Sequence, residues 1–284
     1  MTKLHFRYYM KLSFSDSVEK HRFSLKCIPK TDAKQQITIT KQEIYPSSFI
    51  SEGMDSFGNR LIYGYEENQH KYFFFDIEGD AVTGISKREK DAAEKEDAGL
   101  ALMKYQTEIT EPGETIREFY ERISGSRLSL TEELREKYGL SEIRNPASDP
   151  QVDFALAVMD RLGSEYQYVQ GVTDIHTAAE NALQSGKGVC QDYAHIMLSL
   201  CRMKRIPVRY VTGMMLGEGK SHAWVEVWTG QEWIGMDPTN SQLAGEHYIK
   251  IAHGRDYSDC LVNQGIFTGN VTQDQQILVS VEET

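Results

Sequence analysis

Apolar and polar residues alternate through much of the first hundred positions. LHFRYYMKLSF (4–14) carries an apolar or aromatic side chain at nearly every second place, and QQITITKQEIYP (35–46) alternates as cleanly. A period of two sends one set of side chains to one face of a strand. GNRLIYGYEENQHKYFFFDIEG (58–79) reads as two strands joined by the polar turn EENQH. These strands predict an antiparallel sandwich or barrel-like module. The mixed charge run SKREKDAAEKEDAG (86–99) reads as a solvated segment and puts a boundary there or just beyond.

From Glu114 the period lengthens. GETIREFYERIS (113–124), SLTEELREKYG (129–139) and DPQVDFALAVMDRLGSEY (149–166) space their apolar residues three to four apart, with Ser129 and Asp149 in N-cap positions. TDIHTAAENALQSGKG (173–188) is helical and ends at glycine. IPVRYVTGMML (206–216), SHAWVEVW (221–228), EWIGMDP (232–238) and the tail QQILVSVEE (275–283) read as strands. Helices followed by a sheet predict an α+β fold, so the chain divides into a β-rich domain over 1–105 and an α+β domain over 106–284.

Between these helices and strands lies GKGVCQDYAHIMLSLCRMKR (186–205), a helix that starts at Cys190. Ala194, Met197, Leu198 and Cys201 form its apolar stripe, Arg202, Lys204 and Arg205 suit its C-terminal end, and Pro207 stops it. Cys190 therefore sits in the first turn, where unbonded N–H groups and the positive end of the helix favour an anion such as a thiolate. The same N–H groups suit an oxyanion. Gly186 and Gly188 would let a substrate backbone approach closely. Asp192 reads as a cap on this helix, and His195, well around the helix from Cys190, as a structural hydrogen-bonding residue.

A nucleophilic thiol needs a base, and the base needs an orienting group. In SHAWVEVWTGQEWIGMDPTN (221–240), His222, Trp224, Glu226 and Trp228 share one strand face. If Thr229 pairs with Glu232 across the turn, Trp224 faces Asp237 on the next strand, and Asp237 becomes the diagonal neighbour of His222. Turn geometry alone thus predicts a His222–Asp237 pair.

GVCQDYAH, SHAWVEVW and MDPTN, in this order, resemble the three core motifs of the transglutaminase-like superfamily of papain-like thiol enzymes. HYIKIAHGRDYSDCLVNQGIFTG (247–269) is similar to the segment that follows the aspartate in its bacterial branch, and MDSFGNRLIYGY (54–65) to part of the β-rich module often joined to it. The resemblance implies a papain-like core with Cys190 as nucleophile, His222 as general base and Asp237 as its orienter. It implies acyl transfer at an amide through a thioester on Cys190, and no metal or cofactor. Water as acceptor makes a peptidase or amidase, the expected outcome; an amine as acceptor makes a cross-linking transglutaminase. A silent peptide-binding module of the same fold would have no reason to keep all three residues. An arylamine acetyltransferase-like enzyme shares the logic but lacks the β module. Gly188, Gln191, Trp224 and Tyr168 are the expected substrate contacts, on a peptide or protein substrate.

The net charge of −11 argues against nucleic acid and anionic membrane surfaces as partners. No apolar run approaches the roughly 18 residues of a membrane helix. The first residues, broken by Lys, His and Arg, lack a secretory h-region, and a cytoplasmic location is expected. Cys27, Cys190, Cys201 and Cys260 are scattered with no CxxC pair, too few for a disulfide scaffold. Cys190, His195 and Cys201 do not converge as zinc ligands from one helix. Arg255 and Asp256 of GRDYSD read as serving an internal salt bridge, in preference to positioning the active-site strand or binding a substrate carboxylate.

Overall fold

The structure, a computed structural model, describes residues 1–85, 97–125, 131–141 and 149–284. Most of the charge run at 86–99, Ser129 and the side chain of Asp149 lie outside them.

Strand β1 (Thr2–Leu25) is the spine of the first sheet. Leu4, Phe6, Tyr8, Met10, Leu12 and Phe14 are all buried, as the alternation requires. Strands β2 (Gln35–Tyr45), β3 (Phe49–Met54), β4 (Arg60–Glu66) and β5 (His70–Thr83) follow. β4 and β5 are joined by the predicted turn but are not partners. β5 pairs with the front of β1 and with β2, whereas β4 pairs with the back of β1 and with β3. A register shift between Ser13 and Val18 separates the two halves. Such an irregularity bends a strand, and so one long strand serves two sets of partners.

Next come α1 (Asp97–Leu102), α2 (Glu114–Ser124), α3 (Thr131–Lys137) and α4 (Asp149–Glu165). A short parallel pair, β6 (Gln167–Tyr168) with β7 (Lys187–Gly188), brackets α5 (Ala179–Ser185). Then follow α6 (Cys190–Met203), β8 (Val208–Met215), β9 (Gly217–Gly219), β10 (His222–Trp228), β11 (Trp233–Asp237), β12 (Gln242–Leu243) and β13 (Tyr248–Gly254). The second sheet has the order β12-β11-β10-β8-β13, all antiparallel.

Helix α6 is more deeply enclosed than a single apolar stripe predicts: every residue from Asp192 to Arg202 is buried. The sheet covers one side, and α4, α5 and the segment around Thr110 cover the others. Two of its buried polar members, His195 and Arg202, hold specific partners. The His195 Nε2 accepts the Tyr257 N–H at 3.2 Å, and Arg202 donates to the Met103 carbonyl, to Thr110 Oγ1 and to the Val208 carbonyl at 3.1–3.3 Å.

The chain then returns to its beginning. β14 (Asn263–Thr268) pairs with the back of β1, and β15 (Gln273–Glu283) runs along the front, from Phe14 opposite Gln273 to Leu4 opposite Glu283. The sequence reading put everything after residue 105 in one second domain; the last two strands instead complete the first sheet. The outer edge of β13 is covered from the other direction. Gln35 and Asn59 each exchange two side-chain amide bonds with its backbone, at Lys250 and at His253. Two side chains thus take the place of a sixth strand.

Candidate active site

The β10–β11 hairpin has the register read from its turn. The Thr229 N–H meets the Glu232 carbonyl at 2.9 Å, Trp228 faces Trp233, and Val225 faces Met236. Asp237 ends its strand, and its Oδ2 lies 2.7 Å from the Nε2 of His222. That bond engages Nε2, and Cys190, at the start of α6, lies near enough to the ring to favour its protonated form. Thiol, imidazole and carboxylate are thus brought near one another from a helix start and two adjacent strands.

Asp237 is wholly buried, and its charge is held by a full set of donors. Oδ2 also accepts the Tyr248 hydroxyl and the Asn240 side-chain amide, each at 2.7 Å, while Oδ1 accepts the backbone N–H groups of Thr239 and Asn240. Burial by itself would raise this carboxyl; the bonds from His222, Tyr248 and Asn240 overcome it and hold the group below its ordinary value. The opposite balance acts on the imidazole. Burial favours its neutral form, but Asp237 and Cys190 outweigh burial and push it up to about 10. His222 is thus arranged to carry its proton at neutral pH.

Tyr248 and Asn240 are bonding partners of Asp237 that the sequence reading did not name. Asn240 was within reach of it, because an aspartate followed by Pro-Thr-Asn invites an Asx turn whose amides fold back on the carboxylate. Tyr248 carried no such signal. It sits on β13, which pairs with β8 rather than with the hairpin, and only the sheet order brings it to Asp237.

At the helix start, Asp192 acts as the expected cap. Its Oδ2 accepts the Val189 N–H and the Thr173 hydroxyl, both at 2.7 Å. The second bond ties the 169–178 loop over the first turn. Cys190 and Gln191 are both partly exposed there, and the Gln191 amide donates to the Ile175 carbonyl at 3.4 Å. Tyr168 is half exposed, on a strand paired beside Gly188.

Two expected substrate contacts are corrected. Gly188 is buried, and a Cβ there would come within 2.4 Å of Asp192 Oδ2 and of the Tyr166 hydroxyl, so this glycine serves internal packing. Gly186 has φ +70° and closes α5 in the left-handed conformation, with its N–H on the Leu183 carbonyl. Trp224 is only 2% exposed. It lies behind the imidazole, its ring 6.4 Å from that of His222 and edge-on to Tyr248 at 5.3 Å, and so supports the site from within. Cys27, Cys201 and Cys260 are fully buried. Arg255 does form an internal ion pair, with Asp259, in two bonds of 2.8 and 2.9 Å; Asp256 caps the following turn at Ser258.

Residues 140–238 match the family model of the transglutaminase-like superfamily. The whole fold is similar to the crystal structure of a candidate cysteine protease from Cytophaga hutchinsonii, with a TM-score of 0.69 over 99% of this chain and 90% of that one, at 20% identity. An uncharacterized protein of Mycobacterium leprae is 39% identical over 128 residues, 42% of this chain and 46% of that protein. One from Mycobacterium tuberculosis H37Rv is 34% identical over 149 residues, 47% of each. The match spans under half the length of these curated relatives. The matched segment includes Cys190, His222 and Asp237, and the chain carries a transglutaminase-like core joined to a β-rich N-terminal region.

Proposed function

We propose that the protein is a cysteine-dependent acyl-transfer enzyme acting on amide bonds, a peptidase or amidase, with Cys190 as nucleophile, His222 as acid and base, and Asp237 as the group that orients His222. The observation that supports this reading is the bond between buried Asp237 and His222, with Cys190 beside the imidazole. The thiolate attacks the amide carbonyl carbon, and the oxyanion so formed lies at the start of α6. The C–N bond breaks as His222 gives its proton to the departing nitrogen, leaving a thioester on Cys190. Water then attacks the thioester while His222 takes up its proton, and the acid is released with the thiol restored. The fold relative from Cytophaga hutchinsonii, described as a candidate cysteine protease, favours water as the acceptor.

A peptide-library screen compares the wild type with Cys190→Ala, read for cleavage, ammonia release and amine incorporation. The variant is expected to lose roughly 10³-fold or more of the rate. Amine incorporation without hydrolysis would reassign the acceptor; equal activity in the variant would remove the thiol mechanism.

A further inference from the structure

A cavity of about 850 Å³ lies against the first sheet. Its open apolar surface comes from Phe267 of β14 and Ile277 of β15, with Tyr8, Met10 and Leu12 of β1 buried behind them. On the opposite side it reaches Ser221, the residue before His222, and Ile175, whose carbonyl receives the Gln191 side chain. It therefore reaches the residue before His222 and the loop that Gln191, the neighbour of Cys190, bonds to.

One edge of this cavity is unpaired backbone. β14 bonds to β1 on one side, and among the described residues no strand bonds to its other side. Ile266, on the same strand, is 71% exposed. The charge of the lining is also distinctive. Among the described residues no Asp or Glu lines the cavity, in a chain whose net charge is −11. Arg22, which does line it, makes no ion pair among the described residues.

Resting on the acyl-transfer reading, we propose that the substrate is an extended polypeptide segment, neutral or acidic, that adds as a strand to the free edge of β14. It sets a bulky apolar side chain against Phe267 and Ile277 and so brings its amide toward Cys190. A free strand edge supplies affinity through main-chain hydrogen bonds, and a pocket for alternate side chains supplies selectivity. The β-rich region is then part of the substrate site.

The test uses full-length Cys190→Ala protein and blocked hexapeptides, acetylated and amidated. Each holds one Leu, Phe, Tyr, Met or Val among Ser, Thr and Gln, and binding is followed by calorimetry. N-methylation of the peptide at every second residue should weaken binding about tenfold, with the intervening positions tolerant. Ile266→Asp, at an exposed position, should weaken it as well, and replacing the apolar residue by Lys should abolish it. Absence of binding by every apolar peptide, uniform tolerance of N-methylation, or undiminished binding of the Lys peptide would overturn the proposal. Iodoacetamide labelling of wild-type Cys190 separates the two readings. Selective labelling without an alternating N-methyl pattern removes strand addition alone, whereas absence of selective labelling removes the enzymatic reading and leaves the binding result standing.

Discussion

Asp237 is the residue on which the site depends. A wholly buried carboxylate is tolerable only when its lone pairs are taken up, and here His222, Tyr248, Asn240 and Thr239 take them. Asp237→Asn replaces an anion with a neutral amide beside the imidazole. The alkaline limb of kcat/KM, set near the His222 value of about 10, should then move to lower pH, and the rate should fall on the order of 10²-fold or more. Tyr248→Phe removes one donor and should act in the same direction more weakly, about tenfold in kcat with KM little changed. A rate and profile unchanged by both substitutions would show that the carboxylate does not govern the imidazole. The sign for stability follows from the same raised value. The contribution of protonated His222 to folding is complete below its unfolded value of about 6.5 and is lost as pH rises through about 10. Urea midpoints measured between pH 6 and pH 10 should therefore decline, and decline less in Asp237→Asn.

Elements differ in how much of their surroundings they announce. The β10–β11 hairpin was fully legible, because a short turn fixes register and register fixes which side chains meet diagonally. Helix α6 was legible in place and start but not in depth. Its apolar stripe was plain, whereas the burial of His195, Ser199 and Arg202 depends on segments distant in sequence. Gly188 and Trp224 were misjudged for a related reason: residue type suggests an open site, but only packing tells which side of the imidazole faces the substrate. Arg202 illustrates what such burial demands. Its guanidinium joins the Met103 and Val208 carbonyls and Thr110 across the back of the helix. Arg202→Met strands those acceptors and should cost about 3 kcal/mol, within the range for breaking buried charged networks. A denaturation midpoint equal to wild type would refute that role.

The molecule as a whole is less divisible than its sequence suggests. Composition and period separate a β-rich first part from an α+β second part, and both textures are real. What no local pattern reveals is that β14 and β15 return to β1, or that Gln35 and Asn59 seal the edge of β13. A buried charge network joins the two parts further. Lys250 meets Asp32 at 2.6 Å and Glu226 at 3.0 Å, and Arg209 meets Glu226 at 2.6 Å. Burial opposes ionisation of Glu226, but Arg209 and Lys250 outweigh it and hold the carboxyl far below its usual range. Its contribution to stability is present above the unfolded value of about 4.3 and is lost as pH falls below it. A fragment spanning 106–284 would bare the β13 edge and leave β14 and β15 without their partner. It should therefore be insoluble or fail to unfold cooperatively; a soluble fragment with a sharp thermal transition would show two independent domains.

The alkylation of the four cysteines tests the central claim most directly. With Cys27, Cys201 and Cys260 fully buried and Cys190 partly exposed beside a protonated imidazole, brief treatment with iodoacetamide near neutral pH, followed by peptide mass mapping, should modify Cys190 alone. Exposure without activation would also favour Cys190, so the rate is compared with Asp237→Asn, in which it should drop. Slow labelling of Cys190 no faster than the three buried thiols, or a rate indifferent to Asp237, would contradict the account.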